Sequence, residues 1–425
     1  MNTPITIIGA GPAGLLLTHY LLRRGYTNIE IYESRQDPRL SSPDTQRTFP
    51  LALQARGRQA LSKIENLEEK IAQKGTFCQG TLLHSQKGKT RSIPRKKPLL
   101  TIDRSVLSYI LLEELFQGNN QSKLKIHFNH KCININSQEK SISFEIENQQ
   151  ITNKKYNILI GADGSNSQVR HYLESLSSFK CTKNALPDVY KSVYLPLKTA
   201  DESLCLEPDK IHSIQLSEKV RILLVPQGEN NLHGVIIFDK DNSPFEQFKN
   251  SSELLNFFQE NGGKIGQLFD LQEVENLLKR PVAKVTTIEC NQFHDSNNIL
   301  ILGDAAHAVS PSLGQGCNSA LEDVMIIDEL LDKYQDNWDL VMPAFTEKRV
   351  PDAEALQQLS NYTVPRKKSL IFEYFLRLRI SRLLNQWFPK NFYRPIFELV
   401  TETTLSYQEI LQLHQGWINK VKQSQ

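Results

Sequence analysis

The stretch of sequence that decides the fold is ITIIGAGPAGLLLTHYLLRRGYTNIEIYE, residues 5–33. In it a short apolar run precedes the pattern Gly-x-Gly-x-x-Gly, which is formed by Gly9, Gly11 and Gly14. Apolar residues then recur at helical spacing, and a segment of alternating polarity ends at Glu33. The stretch therefore predicts a β-α-β unit.

Glycines at these three positions permit a tight turn and a close approach of a ligand to the backbone. The N-terminus of the helix that follows attracts the negative charge of a pyrophosphate. Glu33 lies about 20 residues past Gly14, where dinucleotide-binding folds place the acid that binds ribose hydroxyls. An ordinary glycine turn is the alternative, but the strand, the helix and the acid together favour a dinucleotide site.

The composition is that of a folded globular protein, with 39% hydrophobic and 23% charged residues among 425. This length corresponds to roughly three domains' worth of chain. The 50 Lys+Arg and 47 Asp+Glu leave a formal charge of +3, which is too small for the broad basic field that nucleic-acid binding needs. We therefore expect no nucleic-acid partner.

The six cysteines form no Cys-x-x-Cys pair, which argues against a zinc site and against a dense disulfide framework. We expect reduced thiols, no bound metal and a cytoplasmic location. The N-terminus has neither the cationic region nor the cleavage site of a signal peptide. Charges interrupt the longest apolar stretches, such as residues 370–384, so we expect no transmembrane segment.

Two further apolar runs each end in an aspartate beside small residues. Residues 156–161 lead to Asp163, and residues 299–302 lead to Asp304. Strand-like segments between them indicate an inserted, mostly β module, and after Asp323 the pattern becomes helical. The sequence therefore predicts an α/β fold with a Rossmann-like nucleotide-binding domain, an inserted β-rich module and a helical C-terminal region.

Asp304 would repel a pyrophosphate unless its carboxylate accepts hydrogen bonds from the hydroxyls of a sugar alcohol. A helix N-cap is the alternative role for this residue. The loop that follows it carries no charge and includes Pro311, Gly314, Gln315 and Gly316. Backbone N–H groups in this loop could lie against a planar ring and stabilise negative charge there, as reduction of a flavin requires.

Three blocks together resemble the FAD-dependent aromatic-ring hydroxylases, which are single-component flavoprotein monooxygenases. These blocks are GAGPAG with Glu33, GADGS at 161–165 and GDAAHAVSPSLGQGCNSALED at 303–323. Within that class the chain is most similar to the kynurenine 3-monooxygenases. The matching segments are LALQARGRQAL at 51–61, IHFNH at 126–130 and FTEKRVPDAEAL at 345–356.

The resemblance implies a p-hydroxybenzoate hydroxylase-like fold. A discontinuous FAD-binding domain would comprise residues 1–75, 100–185 and 281–350. A β-rich substrate-binding domain would comprise residues 76–99 and 186–280, and a C-terminal helical region would comprise 351–425. NADPH, or NADH, would reduce the FAD, and O2 would then hydroxylate a small aromatic substrate through a flavin hydroperoxide.

No side chain is expected to act as a catalytic acid or base, since the flavin carries the chemistry. The glycine pattern and the resemblance together assign cofactor contacts to a set of residues spread along the chain. These are Gly9, Gly11, Ala13, Gly14, Glu33, Arg35, Ala52, Arg104, Cys132, Asp163, Asp304, Gly316, Cys317 and Asn318.

Four family positions that hold the amino acid end of kynurenine are an Arg, a Tyr, an Asn and a Tyr. They align here with Thr81, Arg95, Asn361 and Phe397, although a shift of two residues would replace the Asn by Thr363. A Thr hydroxyl does not replace a bidentate Arg, and Phe lacks the Tyr donor. Arg95 is either a displaced cation or part of a solvated turn, and its basic surroundings favour the turn. We expect an aromatic substrate whose polar end differs from that of kynurenine.

Two other functions stay open. One is an FAD-dependent reductase or halogenase, although the three Trp residues stand singly, without the Trp-x-Trp of flavin halogenases. The other is a flavin-binding protein that has lost turnover with its substrate contacts.

Two further features favour plain structural roles. His307 has no visible acid partner, so we expect a packed or hydrogen-bonded histidine rather than a base. The basic, aromatic segment at 366–387 fits either a membrane-surface helix or a core helix with one wet face, and we expect the core helix.

Overall fold

The computed structural model describes residues 3–40, 49–117, 120, 122–228, 230–248, 250–296, 298–365, 367–388 and 392–424. Its strands are β1 (Ile5–Ile8), β2 (Ile29–Tyr32), β3 (Pro50–Leu53), β4 (Thr76–His84), β5 (Thr90–Asp103), β6 (Leu124–His127), β7 (Lys131–Asn136), β8 (Ser141–Glu145), β9 (Ile151–Lys155), β10 (Ile158–Gly161), β11 (Cys181–Pro196), β12 (Lys210–Ser217), β13 (Val220–Gln227), β14 (Asn231–Asp239), β15 (Ala283–Cys290) and β16 (Ile299–Ile301).

Its helices are α1 (Pro12–Arg23), α2 (Ala55–Ser62), α3 (Leu67–Lys74), α4 (Arg104–Gln117), α5 (Gln168–Leu173), α6 (Pro244–Gln247), α7 (Ser251–Asn261), α8 (Gly263–Gly266), α9 (Leu271–Lys279), α10 (Asp304–His307), α11 (Gly316–Lys333), α12 (Trp338–Tyr362), α13 (Lys368–Trp387), α14 (Ile396–Glu402) and α15 (Tyr407–Lys422). Short 3-10 turns occur at Glu147–Gln149, Lys240–Asn242 and Pro311–Leu313.

A parallel sheet of five strands carries the N-terminal motif, in the order β16-β10-β1-β2-β6. Ile5 of the central strand β1 lies opposite both Ile29 and Ile158. Every residue of β1, β10 and β16 is buried, as is typical of a parallel sheet covered on both faces. The predicted β-α-β unit is confirmed. Because these strands are parallel, the glycine turn and the two aspartate-containing turns emerge at the same edge of the sheet.

A second, mixed sheet has eight strands in the order β15-β11-β14-β13-β12-β4-β5-β3. Neighbouring strands are antiparallel except β12 and β4, which are parallel. Leu254 and Phe258 of α7 and Val274 of α9 share a core with Val193 and Ile236 of this sheet. The predicted β-rich insertion is present, and it joins strands β3–β5 from earlier in the chain. A small antiparallel sheet, β7-β8-β9, shares no strand with either and packs on the parallel sheet, where Phe144 stacks on Tyr32.

The helix α12 is one continuous element of 25 residues that passes through Pro343 and Pro351. A proline inside a helix removes a hydrogen bond and clashes with the preceding turn, so two internal prolines disfavour a continuous helix. Phe345 packs in the core of the parallel sheet and Leu356 packs in the C-terminal core. This packing offsets the cost of both prolines, and the expected domain boundary at 350/351 lies inside the helix.

The helix α13 lies at the surface, and the expectation that it is a core helix was wrong. Phe372 is 75% exposed and Trp387 is 79% exposed. Helices α12, α14 and α15 fill the C-terminal core, which only Leu370 and Tyr374 of α13 reach. Among the described residues, no helix is long and apolar enough to cross a membrane.

Candidate active site

The glycine turn between β1 and α1 uses its three glycines in two different ways. A Cβ atom on Gly9, whose φ is +103°, would lie 2.5 Å from the carbonyl oxygen of Ala162. A Cβ on Gly14 would lie 2.2 Å from the carbonyl oxygen of Gly9. A Cβ on Gly11 would meet no protein atom within 4 Å. Gly9 and Gly14 are therefore needed because a side chain at either position would clash with the backbone of the protein. Gly11 has no such neighbour and leaves open space at the N-terminus of α1.

Glu33 sits at the carboxyl end of β2 and is buried beside this turn. Its Oε2 accepts the N–H of Ala10 over 2.8 Å, and its Oε1 accepts the N–H and the Nε of Arg35, each over 2.9 Å. Burial favours the neutral acid, but the guanidinium of Arg35 and these N–H groups outweigh it and lower the pKa of Glu33. The turn therefore presents an ionised carboxylate. Arg35 itself is largely exposed.

Asp163 positions the second turn rather than facing open space. Its carboxylate accepts the Oγ–H of Ser167 over 2.6 Å and the N–H of Gln168 over 2.7 Å, at the start of α5. Burial raises the pKa of Asp163. Cys132 is buried in β7, and burial together with the charge of Asp163 raises its thiol pKa to about 12. Of these two predicted cofactor residues, Cys132 is thus buried, whereas Asp163 is partly exposed.

Asp304 is the first residue of α10 and is exposed, so it is available to a ligand. The preceding Gly303 has a φ of +59° and, if it carried a Cβ, that atom would lie 3.7 Å from the Cβ of Ala13 in α1. A Cβ on Gly316 would lie 3.7 Å from Oδ1 of Asp304. The carboxylate of Asp304 therefore lies next to the first turn of α11, and the preceding Gly303 lies close to α1.

The first turn of α11 contains Gly316, Cys317 and Asn318, and no side chain caps it. The backbone N–H groups of this turn lack helical partners, which makes the helix start favourable for negative charge. Burial raises the pKa of the Cys317 thiol to about 12, so the thiol is protonated at neutral pH.

Asn318 fixes the geometry of the loop before α11. Its Nδ2 donates to the carbonyls of Ala52 (2.8 Å) and Gly314 (2.9 Å), and its Oδ1 accepts the N–H of Gln54 over 2.7 Å. All the polar atoms of this side chain are therefore used to join β3 to the loop. Asn318 could therefore contact a cofactor only through its backbone.

The same loop is held from the C-terminal side. Gln315 is fully buried, donates to Oε1 of Gln54 and accepts the hydroxyl of Tyr407 over 2.7 Å. Pro311 opens the 3-10 turn, and Gly314 ends it with a φ of +64°. Sequence reasoning missed Gln54 and Tyr407, because their partners are far away along the chain.

Arg104 provides a cation beside this helix start. It begins α4, and its guanidinium carbon lies 5.9 Å from the centre of the Phe49 ring, which in turn contacts Tyr190 edge-on. Within the described ranges Arg104 forms no salt bridge. Its charge opposes the effect of burial on the Cys317 thiol, and Asp304 reinforces that effect. Arg104, Cys317 and Asp304 are thus electrostatic neighbours.

A buried ion cluster supports α10 and α11 from behind. Nε2 of His307 lies 2.7 Å from Oδ2 of Asp323, and Nε of Arg349 lies 2.7 Å from Oδ1 of the same carboxylate. His307 is hydrogen-bonded, as predicted, but the statement that it has no acid partner was wrong. Asp323 was not identified as the partner of His307 because it lies sixteen residues further along the chain, and only the fold brings the two side chains together.

Three of the four candidate substrate positions are neighbours. Thr81 in β4 lies opposite Ile93 in β5, two residues before Arg95. The guanidinium carbon of Arg95 lies 5.2 Å from the centre of the Phe397 ring in α14. The expected solvated turn around Arg95 was wrong, because residues 90–103 form a strand whose pairing with β4 shifts register between Pro94 and Leu99. This irregularity directs Arg95 against the C-terminal helices.

Arg95 is a partly buried cation. It forms no salt bridge in the part of the chain that the structure describes. Burial lowers the pKa of Arg95, and the neighbouring Cys78 and Glu402 oppose that shift. Glu402 is itself paired with Arg394. A cation held this way is suited to an anionic ligand.

Asn361 lies half-buried in the last turn of α12. Among described residues, no hydrogen bond, ion pair or ring contact joins it to the other three candidate positions. The adjacent Ser360 accepts the hydroxyl of Ser312 through its carbonyl over 2.6 Å, which ties this turn to the loop at 311–316. Thr363, the alternative, donates its hydroxyl to Leu359 of its own helix.

Polar atoms without a protein partner lie one turn earlier in α12. Both polar atoms of the Gln357 side chain and the Oγ of Ser360 are buried and make no hydrogen bond to described residues. Such groups in a native fold indicate a bound water or ligand. No sequence pattern indicates these two residues, since a Gln and a Ser three residues apart occur in many helices.

Comparison with known proteins gives matches over nearly the whole chain. A family model described as an FAD binding domain matches residues 2–358. Kynurenine 3-monooxygenase of Legionella pneumophila (strain Corby) is 31% identical over 432 residues, which cover 98% of this chain and 93% of that enzyme. The enzyme of the same name from Sus scrofa is 28% identical over 429 residues, which cover 99% of this chain and 88% of that enzyme.

Solved structures share the fold at lower identity. A 2-methyl-3-hydroxypyridine-5-carboxylic acid oxygenase mutant superposes with a TM-score of 0.69 at 17% identity, over 94% of this chain and 96% of its own. Tetracycline destructase Tet(51) gives a TM-score of 0.64 at 18% identity, over 88% and 95% of the two chains. These matches confirm the expected p-hydroxybenzoate hydroxylase-like fold. The family match and the Legionella relative together show that this chain belongs to the FAD-dependent aromatic monooxygenases, a family that binds FAD and uses NAD(P)H.

Proposed function

We propose that this chain hydroxylates a small aromatic acid, with FAD as cofactor, NAD(P)H as reductant and O2 as oxidant, and that Arg95 binds the anion of the substrate. When bound, the flavin supplies the oxygen chemistry. The residues of the chain bind the flavin and the aromatic substrate, orient them relative to each other and exclude water. Residues 76–99 and 186–280 serve in this proposal as the substrate-binding unit.

The residues around the glycine turn fit FAD. Open space next to Gly11 admits a pyrophosphate at the N-terminus of α1, and ionised Glu33 accepts ribose hydroxyls. Asp304 is exposed next to the uncapped start of α11, where it would accept ribityl hydroxyls, and Arg104 would supply a cation without an ion-pair partner among described residues. The uncapped start of α11 stabilises negative charge on a reduced ring. In this proposal the segments that surround the site are positioned by Asp163, Cys132 and the side chain of Asn318.

The contact between Arg95 and Phe397 is the observation that carries the substrate assignment. It places a cation that has no salt bridge to any described residue against an aromatic ring, between the mixed sheet and α14. An aromatic acid offers a carboxylate to the guanidinium and a ring to Phe397, so both parts of the molecule find a partner. The orphaned polar atoms of Gln357 and Ser360 are further candidates for hydrogen bonds to a substrate or to ordered water.

L-Kynurenine fits these residues poorly. The enzymes named for it are relatives at 26–31% identity. Burying an amino acid carboxylate without the charged partner that Thr81 replaces costs about 2 to 4 kcal/mol, or ~30-fold to ~1000-fold in affinity. Altered substrate contacts also fit a protein without turnover, but the intact hydrogen-bonded loop from Leu313 to Gln315 favours a working flavin site.

A titration of the flavin absorbance spectrum with benzoates, hydroxybenzoates, anilines and L-kynurenine tests this proposal. Aromatic acids should perturb the spectrum of the wild-type protein, and Arg95→Gln should weaken that binding at least ~30-fold. Arg91→Gln is the matched control, because Arg91 lies exposed on the same strand. If Arg95→Gln and Arg91→Gln bound aromatic acids with equal affinity, Arg95 would not be part of the substrate site. Spectra that respond to no aromatic compound would instead favour the flavin-binding protein without turnover.

A further inference from the structure

Cys181 and Cys290 face each other at the edge of the mixed sheet. Cys181 begins β11 and Cys290 ends β15, and the two residues are direct partners in the antiparallel register. Residues that lie directly opposite in such a pair project to the same side of the sheet. Both are free thiols, and no part of the candidate active site uses them.

The place of this pair in the ladder brings its two side chains close together. The N–H of Asn291 donates to the carbonyl of Lys180 over 3.0 Å, so Lys180 and Asn291 form a hydrogen-bonded pair. Because the two kinds of pair alternate, the next pair, Cys181 and Cys290, is non-hydrogen-bonded, with Cα atoms about 4.5 Å apart. A disulfide needs Cα atoms about 4.4–6.8 Å apart, so the strands can accept one in their present register.

The two thiols differ in access and in acidity. Cys181 is partly exposed, whereas Cys290 is buried and donates a hydrogen bond to the sulfur of Cys181. This hydrogen bond lowers the pKa of Cys181, and the charge of Arg170 adds to the effect, against burial and the carboxylate of Glu174. The same hydrogen bond, together with burial, raises the pKa of Cys290. Cys181 is therefore the thiol that ionises first and that a solute can reach.

The other four cysteines lack this arrangement. Burial raises the pKa of Cys78, Cys132 and Cys317, so these thiols are protonated at neutral pH. Cys205 is exposed, but the residue opposite it in its β-bridge is Lys198. Cys181 is thus the one accessible cysteine that has a second cysteine as its partner in the described sheets.

The cysteine pair is connected to the turn that carries Asp304. The N–H of Ile288 in β15 donates to the carbonyl of Ala308, directly after α10, over 2.8 Å. Arg170 donates to the carbonyl of Ala305 within α10 over 3.0 Å. A covalent link between β11 and β15 would therefore lie next to the supports of α10.

We propose that Cys181 and Cys290 are a redox pair, which hydrogen peroxide converts from two thiols into a disulfide. The thiolate of Cys181 attacks one peroxide oxygen, the O–O bond breaks, and one water leaves after proton uptake, so that Cys181 becomes a sulfenic acid. Cys290 then loses its proton, and its sulfur attacks that of Cys181 and displaces a second water. The two thiols lose two electrons in total, and the peroxide gains them. A dithiol reductant reverses the change and is itself oxidised to a disulfide.

Thiol counting and peptide mass mapping of the FAD-loaded protein test this proposal. A small excess of hydrogen peroxide should remove two of the six thiols of the chain. The peptides that contain Cys181 and Cys290 should become linked, with the loss of two hydrogen atoms. Dithiothreitol should restore both thiols. The exposed Cys205 should react at least about tenfold more slowly than the pair, because it has no partner thiol and no adjacent hydrogen bond from one.

Three variants separate the two steps. Cys290→Ser should leave Cys181 as a sulfenic acid that dimedone labels, because the second thiol is missing. Cys181→Ser should slow the oxidation of Cys290 at least about tenfold, since this thiol is buried and its pKa is raised. Cys205→Ser is the matched control and should form the disulfide at the wild-type rate. Thermal unfolding checks that all variants fold.

Two results would overturn the proposal. One is a wild-type protein in which hydrogen peroxide links no peptides, whether the six thiols survive or are oxidised singly. The other is a linked pair of peptides that includes a cysteine other than Cys181 and Cys290.

Discussion

Arg349 and Asp323 form an ion pair that is almost completely enclosed, with Nε of the arginine 2.7 Å from Oδ1 of the aspartate. The other oxygen of Asp323 accepts the N–H of Gly303 over 2.8 Å and faces His307. Burial favours the neutral acid, but the charges of His307 and Arg349 outweigh it and lower the pKa of Asp323. The pair therefore connects α12 to the turn that presents Asp304.

Removal of this cation should strongly destabilise the protein. Arg349→Met would leave Glu322, Asp323 and Asp352 without their shared buried partner and should cost about 3–5 kcal/mol of unfolding free energy. Urea unfolding of the apoprotein measures this. Lys348→Met, which breaks only the exposed pair with Glu329, should cost no more than about 1 kcal/mol. Equal losses in the two variants would contradict the assignment.

The two kinds of glycine in the first turn should respond differently to the addition of a methyl group. Gly9→Ala should lower the melting temperature of the apoprotein, because its Cβ would lie 2.5 Å from the Ala162 carbonyl at a φ of +103°. Gly11→Ala should leave the melting temperature nearly unchanged, since its Cβ meets nothing within 4 Å. The same variant should nevertheless weaken FAD binding about tenfold or more, because the methyl group occupies the space of the pyrophosphate. Unchanged FAD affinity in Gly11→Ala would place the cofactor elsewhere.

The sequence predicted the glycine turn and Glu33 because their meaning is local: strand, turn, helix and acid follow one another within thirty residues. Arg95 was expected in a turn because composition does not reveal that β4 lies beside it and pairs with it. Asp323 and Arg349 are on different helices, and only the packing of α11 against α12 joins them. The exposure of Phe372 and Trp387 on α13 could not be predicted either, since the apolar period of a helix does not say which face the remaining helices cover.

Stability should fall between neutral pH and pH 4 through His84. Burial lowers the pKa of His84 to about 4, and the neighbouring His212, 3.0 Å away, contributes to the shift. Between pH 6.5 and pH 4 the unfolded chain therefore binds a proton that the folded protein does not, so unfolding becomes easier as the pH falls. His84→Gln should flatten this part of the pH profile in urea unfolding, whereas His171→Gln, at an exposed site, should not. A profile unchanged by His84→Gln would show that other groups dominate.

Restoring the missing donors should improve kynurenine binding. The variant Thr81→Arg/Phe397→Tyr introduces the Arg and the Tyr that the family resemblance leads us to expect at these two positions. Its affinity for L-kynurenine, measured from the flavin spectrum, should exceed that of the wild-type protein by at least about tenfold. Thr90→Arg, which adds a cation on the same sheet away from Phe397, should have no effect. A gain of the same size from Thr90→Arg would mean that only net charge matters.

The most direct test of the account is the fate of oxygen-18-labelled O2 in reactions with NADPH, a panel of aromatic acids and L-kynurenine. We expect at least one aromatic acid to acquire a single labelled hydroxyl group in proportion to the NADPH oxidised, and Arg95→Gln to lose that product. L-Kynurenine should give little product under the same conditions. Product from L-kynurenine in preference to every aromatic acid, or label in no product at all, would contradict the account.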